Sequence, residues 1–132
     1  MNDRPWNVLL VDDNDMIRAT IGSQLTLRGC KVTFATNGEE AFQSVQKEEP
    51  DVIICDVVMP KVDGLEFCRR LRTMGNRTPL LFLTSKGTTD DILKGLCIGA
   101  DDYIAKPFHP KELEVRMLTV LRRAQPATTV LK

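Results

Sequence analysis

Histidine, net charge and long apolar runs are what this sequence has least of, and each shortage narrows what the chain can be. His109 is the only histidine in 132 residues. No nucleophile in the sequence requires it as a base, so we expect it to cap a helix or lie on the surface. Lysine plus arginine and aspartate plus glutamate each total 18, so the bulk charge gives no support for a nucleic-acid partner. No apolar run approaches the length of a membrane span.

Close cysteine pairs and an apolar leader are absent as well. The four cysteines have no Cys-x-x-Cys spacing, which a metal or redox motif would need, and each lies in or beside an apolar segment: Cys30, Cys55, Cys68 and Cys97. We expect them to be buried free thiols. The amino terminus, MNDRPWN, has no apolar signal region, so we expect a cytoplasmic protein.

What the sequence does contain is a regular alternation of strand-like and helix-like segments. Short apolar runs predict five strands, at 7–11, 31–35, 52–55, 80–83 and 102–105. Helical spacing predicts five helices: one capped by Asn14 or Asp15, one starting at 36–38, one led by Asp63 and Gly64, a weaker one at 88–97, and one starting at Pro110. This alternation predicts an α/β fold with a doubly wound parallel sheet and helices on both faces. We expect one domain at 1–124 and a flexible tail or linker at 125–132.

The third predicted helix has an apolar side and a basic side. Its spacing places the apolar residues on the face that covers the sheet and the arginines on the face toward solvent. We therefore expect Leu65, Cys68 and Leu71 to point inward and Arg69, Arg70 and Arg72 to point outward.

Polar residues follow four of the five predicted strands, at the point where each strand ends. Asp12 and Asp13 follow the first strand, Asp56 the third, Thr84 the fourth and Lys106 the fifth. Because the carboxyl ends of parallel strands lie at one edge of a sheet, we expect these side chains to converge on one crevice. Clustered carboxylates repel one another unless a cation is present, and hard oxygen ligands in an open site suit Mg²⁺, with Mn²⁺ as an alternative. The pattern predicts a site at which a carboxylate acquires a phosphoryl group.

Two other classes of protein perform or use phosphate chemistry on a similar sheet. A phosphatase or phosphomutase with an aspartate nucleophile needs an Asp-x-Asp arrangement after the first strand, whereas Asp12 and Asp13 are adjacent. A flavin-binding carrier needs a Ser/Thr/Gly-rich phosphate loop at the same place, which this sequence lacks. Both alternatives fit the residues less well than a phosphoacceptor does.

Four short motifs carry a resemblance to a known family. They are LLVDDN at 9–14, ICDVVMPKVDG at 54–64, LTS at 83–85 and GADDYIAKPF at 99–108. In this order and spacing they resemble the receiver domain of bacterial two-component response regulators, over about residues 7–123. The resemblance implies a flavodoxin-like fold with strand order 2-1-3-4-5. It also implies a protein that catalyses only its own phosphorylation and dephosphorylation. The presence of a single histidine agrees with a protein that receives phosphate and is not the phosphohistidine donor.

The resemblance assigns roles to the acidic residues of the crevice. Asp56 is implied to accept the phosphoryl group from a phosphohistidine on a partner histidine kinase or histidine phosphotransferase. Asp13 and Asp56 are implied to bind Mg²⁺ directly, and Asp12 directly or through water. The backbone carbonyl of Val58 is implied to complete the protein ligands.

The resemblance also implies a switch. Lys106 and Thr84 contact phosphoryl oxygens, Tyr103 turns inward behind Thr84, and the Lys106–Pro107 peptide bond is cis. The added charge then shifts the surface of the fourth helix, fifth strand and fifth helix between two states, controlling a partner or an output domain.

The last predicted helix suggests what that surface pairs with. The GADDY segment and Arg116, Arg122 and Arg123 are similar to receivers fused to winged-helix DNA-binding domains, and receivers joined to diguanylate cyclases look alike here. A phosphorylation-dependent homodimer through this surface is therefore expected, without direct nucleic-acid binding by the domain and without membrane contact. A stand-alone regulator and a receiver belonging to a longer protein both remain open.

Overall fold

The sheet of the computed structural model has five parallel strands. They are β1 (Asn7–Val11), β2 (Lys31–Ala35), β3 (Val52–Cys55), β4 (Leu80–Thr84) and β5 (Asp102–Ala105). The spatial order is β2-β1-β3-β4-β5, which confirms the flavodoxin-like order that the resemblance implied. Residues 5–85, 94, 96 and 98–124 are described.

Four helices have defined bounds, and each begins after a residue whose side chain accepts a backbone N–H of the first turn. They are α1 (Asp15–Leu27), α2 (Gly38–Lys47), α3 (Gly64–Thr73) and the C-terminal helix (Pro110–Arg123), capped by Asn14, Asn37, Asp63 and His109 in turn. His109 Nδ1 accepts the N–H of Lys111 at 3.0 Å. The expected capping role of the single histidine is therefore confirmed.

Alternate residues of the strands enter two separate cores, one on each face of the sheet. Leu9, Ile53 and Phe82 point to the face covered by α2 and α3. Leu10, Ile54 and Leu83 point to the face covered by α1 and the C-terminal helix. Every residue of β3 and β4 is buried, as expected for central strands of a parallel sheet that is covered on both sides. The expectation of a doubly wound architecture is confirmed.

The cysteine expectation is confirmed where it can be checked. Cys30, Cys55 and Cys68 are buried free thiols. Burial raises the pKa of Cys55 well above its usual value, so this thiol stays protonated and behaves as a small apolar side chain. Cys97 lies outside the described residues.

The prediction that Arg72 faces solvent is wrong. Only 11% of its side chain is exposed. Its guanidinium donates to the backbone carbonyls of Gly99 and Asn76, each at 3.0 Å, and lies 3.4 Å from the Asp101 carboxylate. Helical periodicity alone could not place it, because its partners come from the turn after α3 and from the approach to β5. Periodicity also missed Phe67, whose ring is fully buried and meets Phe42 edge-on.

Two expectations lie wholly or mostly beyond the described residues. Residues 88–93, 95 and 97 of the weaker helix are outside them, and residues 94, 96 and 98 are helical. The tail at 125–132 is also outside. Within the described residues, none of the helices combines the length and apolar character that a membrane span requires.

Candidate functional site

The strand register brings the polar residues of four strands to one edge of the sheet. Val11 at the end of β1 is level with Cys55 at the end of β3, and Thr84 of β4 is level with Ala105 of β5. The Asp56 amide donates to the carbonyl of Val11 at 2.8 Å. The residues that follow these strand ends therefore emerge side by side, as the sequence predicted.

Three carboxylates meet at this edge. Oxygen atoms of Asp12, Asp13 and Asp56 all lie within 4.8 Å of one another. Asp12 is 1% exposed and Asp56 is 8% exposed, whereas Asp13 is exposed to solvent. The site is thus a shallow crevice with two acids on its floor and one at its rim.

One cation partly offsets this charge. Lys106 Nζ lies 3.2 Å from Asp12 Oδ2 and 3.5 Å from Asp56 Oδ2. Burial raises the pKa of Asp56 above its ordinary value, and repulsion from Asp12 raises it further. Lys106 and the N–H groups of Val58 and Val57 act in the opposite direction. Burial and the charge of Asp12 therefore disfavour the ionised form of Asp56, and a further positive charge nearby would stabilise it.

The residues of the trio fit a divalent cation of the Mg²⁺ type. All three donors are hard carboxylate oxygens, close enough to share one ion, and the exposed rim leaves room for water ligands. A softer metal would call for thiolate or imidazole ligands, and the group contains neither. The thiol of Cys55, which directly precedes Asp56, is fully buried.

The loop that carries Asp12 and Asp13 is fixed by hydrogen bonds to its backbone groups. Asp12 Oδ1 accepts the N–H of Asn14 at 2.9 Å, and the Asp12 amide donates to the carbonyl of Ala35 at 3.0 Å. Arg18 Nη1 returns from the first turns of α1 to donate to the Asp12 carbonyl at 2.7 Å. Sequence reasoning missed Arg18, since an arginine near the start of a helix has no distinctive spacing.

The loop after Asp56 depends on a glycine that sequence reasoning treated only as part of a helix start. The Gly64 amide donates to the carbonyl of Val57 at 2.9 Å. A Cβ atom at Gly64 would stand 2.1 Å from the backbone oxygen of Asp56, so only glycine allows this approach. The Asp63–Gly64 pair within the third-strand motif was the available signal. Val58, expected to supply a carbonyl ligand, is half exposed beside the crevice.

The predicted switch residues lie behind the crevice. Thr84 is fully buried at the end of β4. Tyr103 is 8% exposed, with its ring centroid 6.1 Å from that of Phe82. The Lys106–Pro107 peptide bond is cis, and the Lys106 amide donates to the carbonyl of Thr84 at 2.8 Å. Movement of Lys106 is therefore coupled through the backbone to the strand end that carries Thr84.

The family model of the response regulator receiver domain matches residues 8–118. The chain belongs to this family. It is 46% identical over 131 residues to a probable transcriptional regulator, ycf27, of Pyropia yezoensis, covering 99% of this chain and 54% of that protein. It is 41% identical over 122 residues to the response regulator MprA of Mycolicibacterium vanbaalenii, covering 92% of this chain and 53% of that protein. The receiver domain therefore spans about half the length of these curated relatives.

Solved structures agree with this assignment. A response regulator from Chloroflexus aurantiacus has 39% sequence identity and a TM-score of 0.85, covering 90% of this chain and 99% of that one. The chemotaxis response regulator CheY4 of Vibrio cholerae has 35% identity and a TM-score of 0.83, covering 89% of this chain and 99% of that one. Membership in the receiver family of two-component systems is thus supported by sequence and by fold.

Proposed function

We propose that this receiver domain accepts a phosphoryl group on Asp56 from a phosphohistidine of a histidine kinase or histidine phosphotransferase. The observation that carries the proposal is the position of the Asp56 carboxylate, 3.5 Å from Lys106 Nζ and within 4.8 Å of two further acids. Family membership favours this function over an aspartate-nucleophile phosphatase or a flavin carrier. In the transfer, an Asp56 oxygen forms a bond to phosphorus while the bond from phosphorus to the donor imidazole breaks. The electron pair leaves with the imidazole nitrogen.

The residues around Asp56 have distinct tasks in this proposal. Asp12, Asp13 and Asp56, with the backbone carbonyl of Val58, would hold Mg²⁺, or Mn²⁺ in its place, and the bound ion supplies the charge neutralisation that lets two anions approach. Lys106 moves from its carboxylate partners toward a phosphoryl oxygen. Each of these tasks needs a group at the same edge of the sheet.

We propose that the new charge is relayed by Thr84 and Tyr103. The Thr84 hydroxyl turns toward the phosphoryl group, and the Tyr103 ring takes the space behind it. The buried position of Tyr103 against Phe82 supports an inward ring as an accessible state. The surface that responds is formed by the predicted fourth helix, β5 and the C-terminal helix.

This surface is the proposed output of the domain. Arg116 on the C-terminal helix pairs with Asp102 at 3.1 Å and with Glu112 at 3.2 Å. Such partly exposed pairs can exchange partners at little cost, which supports a phosphorylation-dependent homodimer or docking of an output domain there. We place the domain in the cytoplasm, without membrane contact and without direct nucleic-acid binding. We also propose that it acts on no substrate other than its own phosphoryl group.

Incubation with acetyl phosphate and Mg²⁺, followed by intact-mass spectrometry, tests the proposal. We expect one added phosphoryl group, its loss on treatment with hydroxylamine, and no modification in Asp56→Asn or in the presence of EDTA. Asp51→Asn is a matched control because Asp51 precedes the same strand at its opposite end, and it should be modified like the wild type. Modification of Asp56→Asn, or an unmodified wild type, would contradict the proposal.

A further inference from the structure

Arg18 of α1 contacts two residues at or beside the acidic crevice. Its Nη1 donates to the carbonyl of Asp12 at 2.7 Å, and its Nη2 forms an ion pair with the carboxylate of Asp15. Only 19% of the Arg18 side chain is exposed. The two ends of the guanidinium therefore contact Asp12 in the loop and Asp15 at the start of α1.

The contact with the Asp12 carbonyl bears on Asp13. A carbonyl and the N–H of the next residue belong to one planar peptide unit, so fixing the Asp12 oxygen fixes the plane from which Asp13 departs. Asp12 has three other restraints: its carboxylate accepts from the Asn14 amide and from Lys106 Nζ, and its own amide donates to the carbonyl of Ala35. Asp13 is exposed at the rim, and the peptide that Arg18 holds is the restraint nearest to it in the described contacts.

The second end of the guanidinium contacts an acid outside the trio. Asp15, the first residue of α1, is the next carboxylate after Asp13 in the sequence, and its side chain is 91% exposed. Its carboxylate pairs with Arg18 and is not a member of the trio formed by Asp12, Asp13 and Asp56. Arg18 therefore pairs with an acid outside the trio and donates to the peptide that leads into an acid of the trio.

We infer that Arg18 is a positioning residue that sets the affinity of the crevice for its divalent cation by orienting the Asp12–Asp13 peptide. It acts through Asp13 and does not touch the reacting atoms. The inference rests on the proposed function, since it concerns the same carboxylate trio.

Calorimetric titration with MgCl₂ of the wild type, Arg18→Met and Arg18→Lys tests this inference. We expect Arg18→Met to bind Mg²⁺ about tenfold more weakly, the size of effect usual for residues that orient a metal ligand. Arg18→Lys should fall between the two, because one ammonium group cannot contact both Asp12 and Asp15. Arg28→Met is the matched control. Arg28 ends the same helix and pairs with Glu114 at 3.3 Å, far along α1 from the crevice.

Phosphorylation by acetyl phosphate supplies a second measurement. The Mg²⁺ concentration for half-maximal rate should rise in Arg18→Met by the same factor as the dissociation constant, while the rate at saturating Mg²⁺ changes little. Thermal unfolding without Mg²⁺ reports any general loss of stability, which should be similar in Arg18→Met and Arg28→Met. If Arg18→Met does not fold, Arg18→Lys carries the test with the same two measurements.

The outcomes separate the two proposals. A wild type that neither binds Mg²⁺ nor becomes phosphorylated would overturn the proposed function. A normal wild type with unchanged Mg²⁺ affinity in both Arg18 variants would overturn only the role of Arg18. A lowered melting temperature in Arg18→Met without a change in Mg²⁺ affinity would show a structural contact and also overturn it.

Discussion

Asp51 and Asp56 stand at opposite ends of β3, five residues apart, and their carboxylates have different surroundings. Asp51 Oδ2 accepts the N–H of Asn7 at 2.7 Å. At the same end of the sheet, Asp101 Oδ2 accepts the N–H of Leu80 at 2.8 Å and lies beside Arg72. Asp56 instead shares its edge with two other acids and one lysine.

The carboxylates at the two edges of the sheet have different effects on stability. At the amino edge of the sheet, carboxylates are matched to N–H groups and to a guanidinium, so each one holds neighbouring strands together. At the carboxyl edge, the fold holds three like charges together, and Lys106 offsets only part of them. Changes at the first edge should therefore lower the free energy of unfolding. Removal of an acid at the second edge should raise it and alter the chemistry, and only backbone positions there should be costly to change.

The largest expected effect is at such a backbone position. Gly64→Ala would place a Cβ atom 2.1 Å from the Asp56 carbonyl oxygen, and backbone atoms cannot give way as a side chain can. We expect a loss of about 3 kcal/mol in the free energy of unfolding, measured by urea denaturation. Gly22→Ala is the control, because there the close atoms belong to the half-exposed ring of Phe34. An equal loss in both variants would contradict this account.

At the amino edge, Arg72→Met should remove the guanidinium that joins the turn after α3 to the approach to β5. We expect a loss of about 2 kcal/mol in the free energy of unfolding, since two partly buried carbonyl groups lose a charged donor. Phosphorylation by acetyl phosphate at a temperature where the variant is folded should be unchanged. Arg70→Met, which breaks a solvent-exposed pair with Glu66, should cost less than about 0.5 kcal/mol. A normal stability of Arg72→Met would count against the comparison.

Asp56→Asn, unlike the substitutions above, should raise the free energy of unfolding. The pKa of Asp56 is raised in the folded chain, first by burial and then by Asp12, so the folded state holds its proton more tightly than the unfolded state. Below the pKa of the unfolded state the carboxyl imposes no penalty, and stability falls as the pH rises through the folded pKa. In EDTA at neutral pH we expect the variant to gain about 1 kcal/mol over the wild type, the size of a typical single substitution.

The pH dependence supplies the check on that substitution. The difference in melting temperature between Asp56→Asn and the wild type should vanish as the pH is lowered below about 4, where the wild-type carboxyl is protonated in the unfolded chain. A difference that is constant with pH would point to packing instead of charge.

The smallest expected effect concerns the loop that follows Asp56. Lys61 has a φ of +63°, in the left-handed region that costs a side chain roughly 1 kcal/mol or more. Lys61→Gly should remove this strain and gain about 0.5 kcal/mol after the added freedom of the unfolded chain is counted. Lys61→Ala keeps the strain and should show no gain. Equal stability of the two variants in urea denaturation would remove the argument.

Much of this molecule was predictable because it depends on local patterns. The bounds of β1, β2, β3 and β5, the caps at Asn14 and His109, and the buried positions of the C-terminal helix follow from periodicity and capping preference. The convergence of Asp12, Asp13, Asp56 and Lys106 followed as well, since parallel strands align their carboxyl ends.

The sequence did not predict which residues contact backbone groups elsewhere in the chain. The buried turn of Arg72 toward Gly99, the reach of Arg18 to the Asp12 carbonyl and the approach of Gly64 to Asp56 leave no periodic signal. The sequence by itself determined the order of elements and the residue types at each strand end, because these depend on near neighbours along the chain. The tertiary structure decided how those residues are aimed and held, because hydrogen bonds to backbone far along the chain exist only once the sheet has formed.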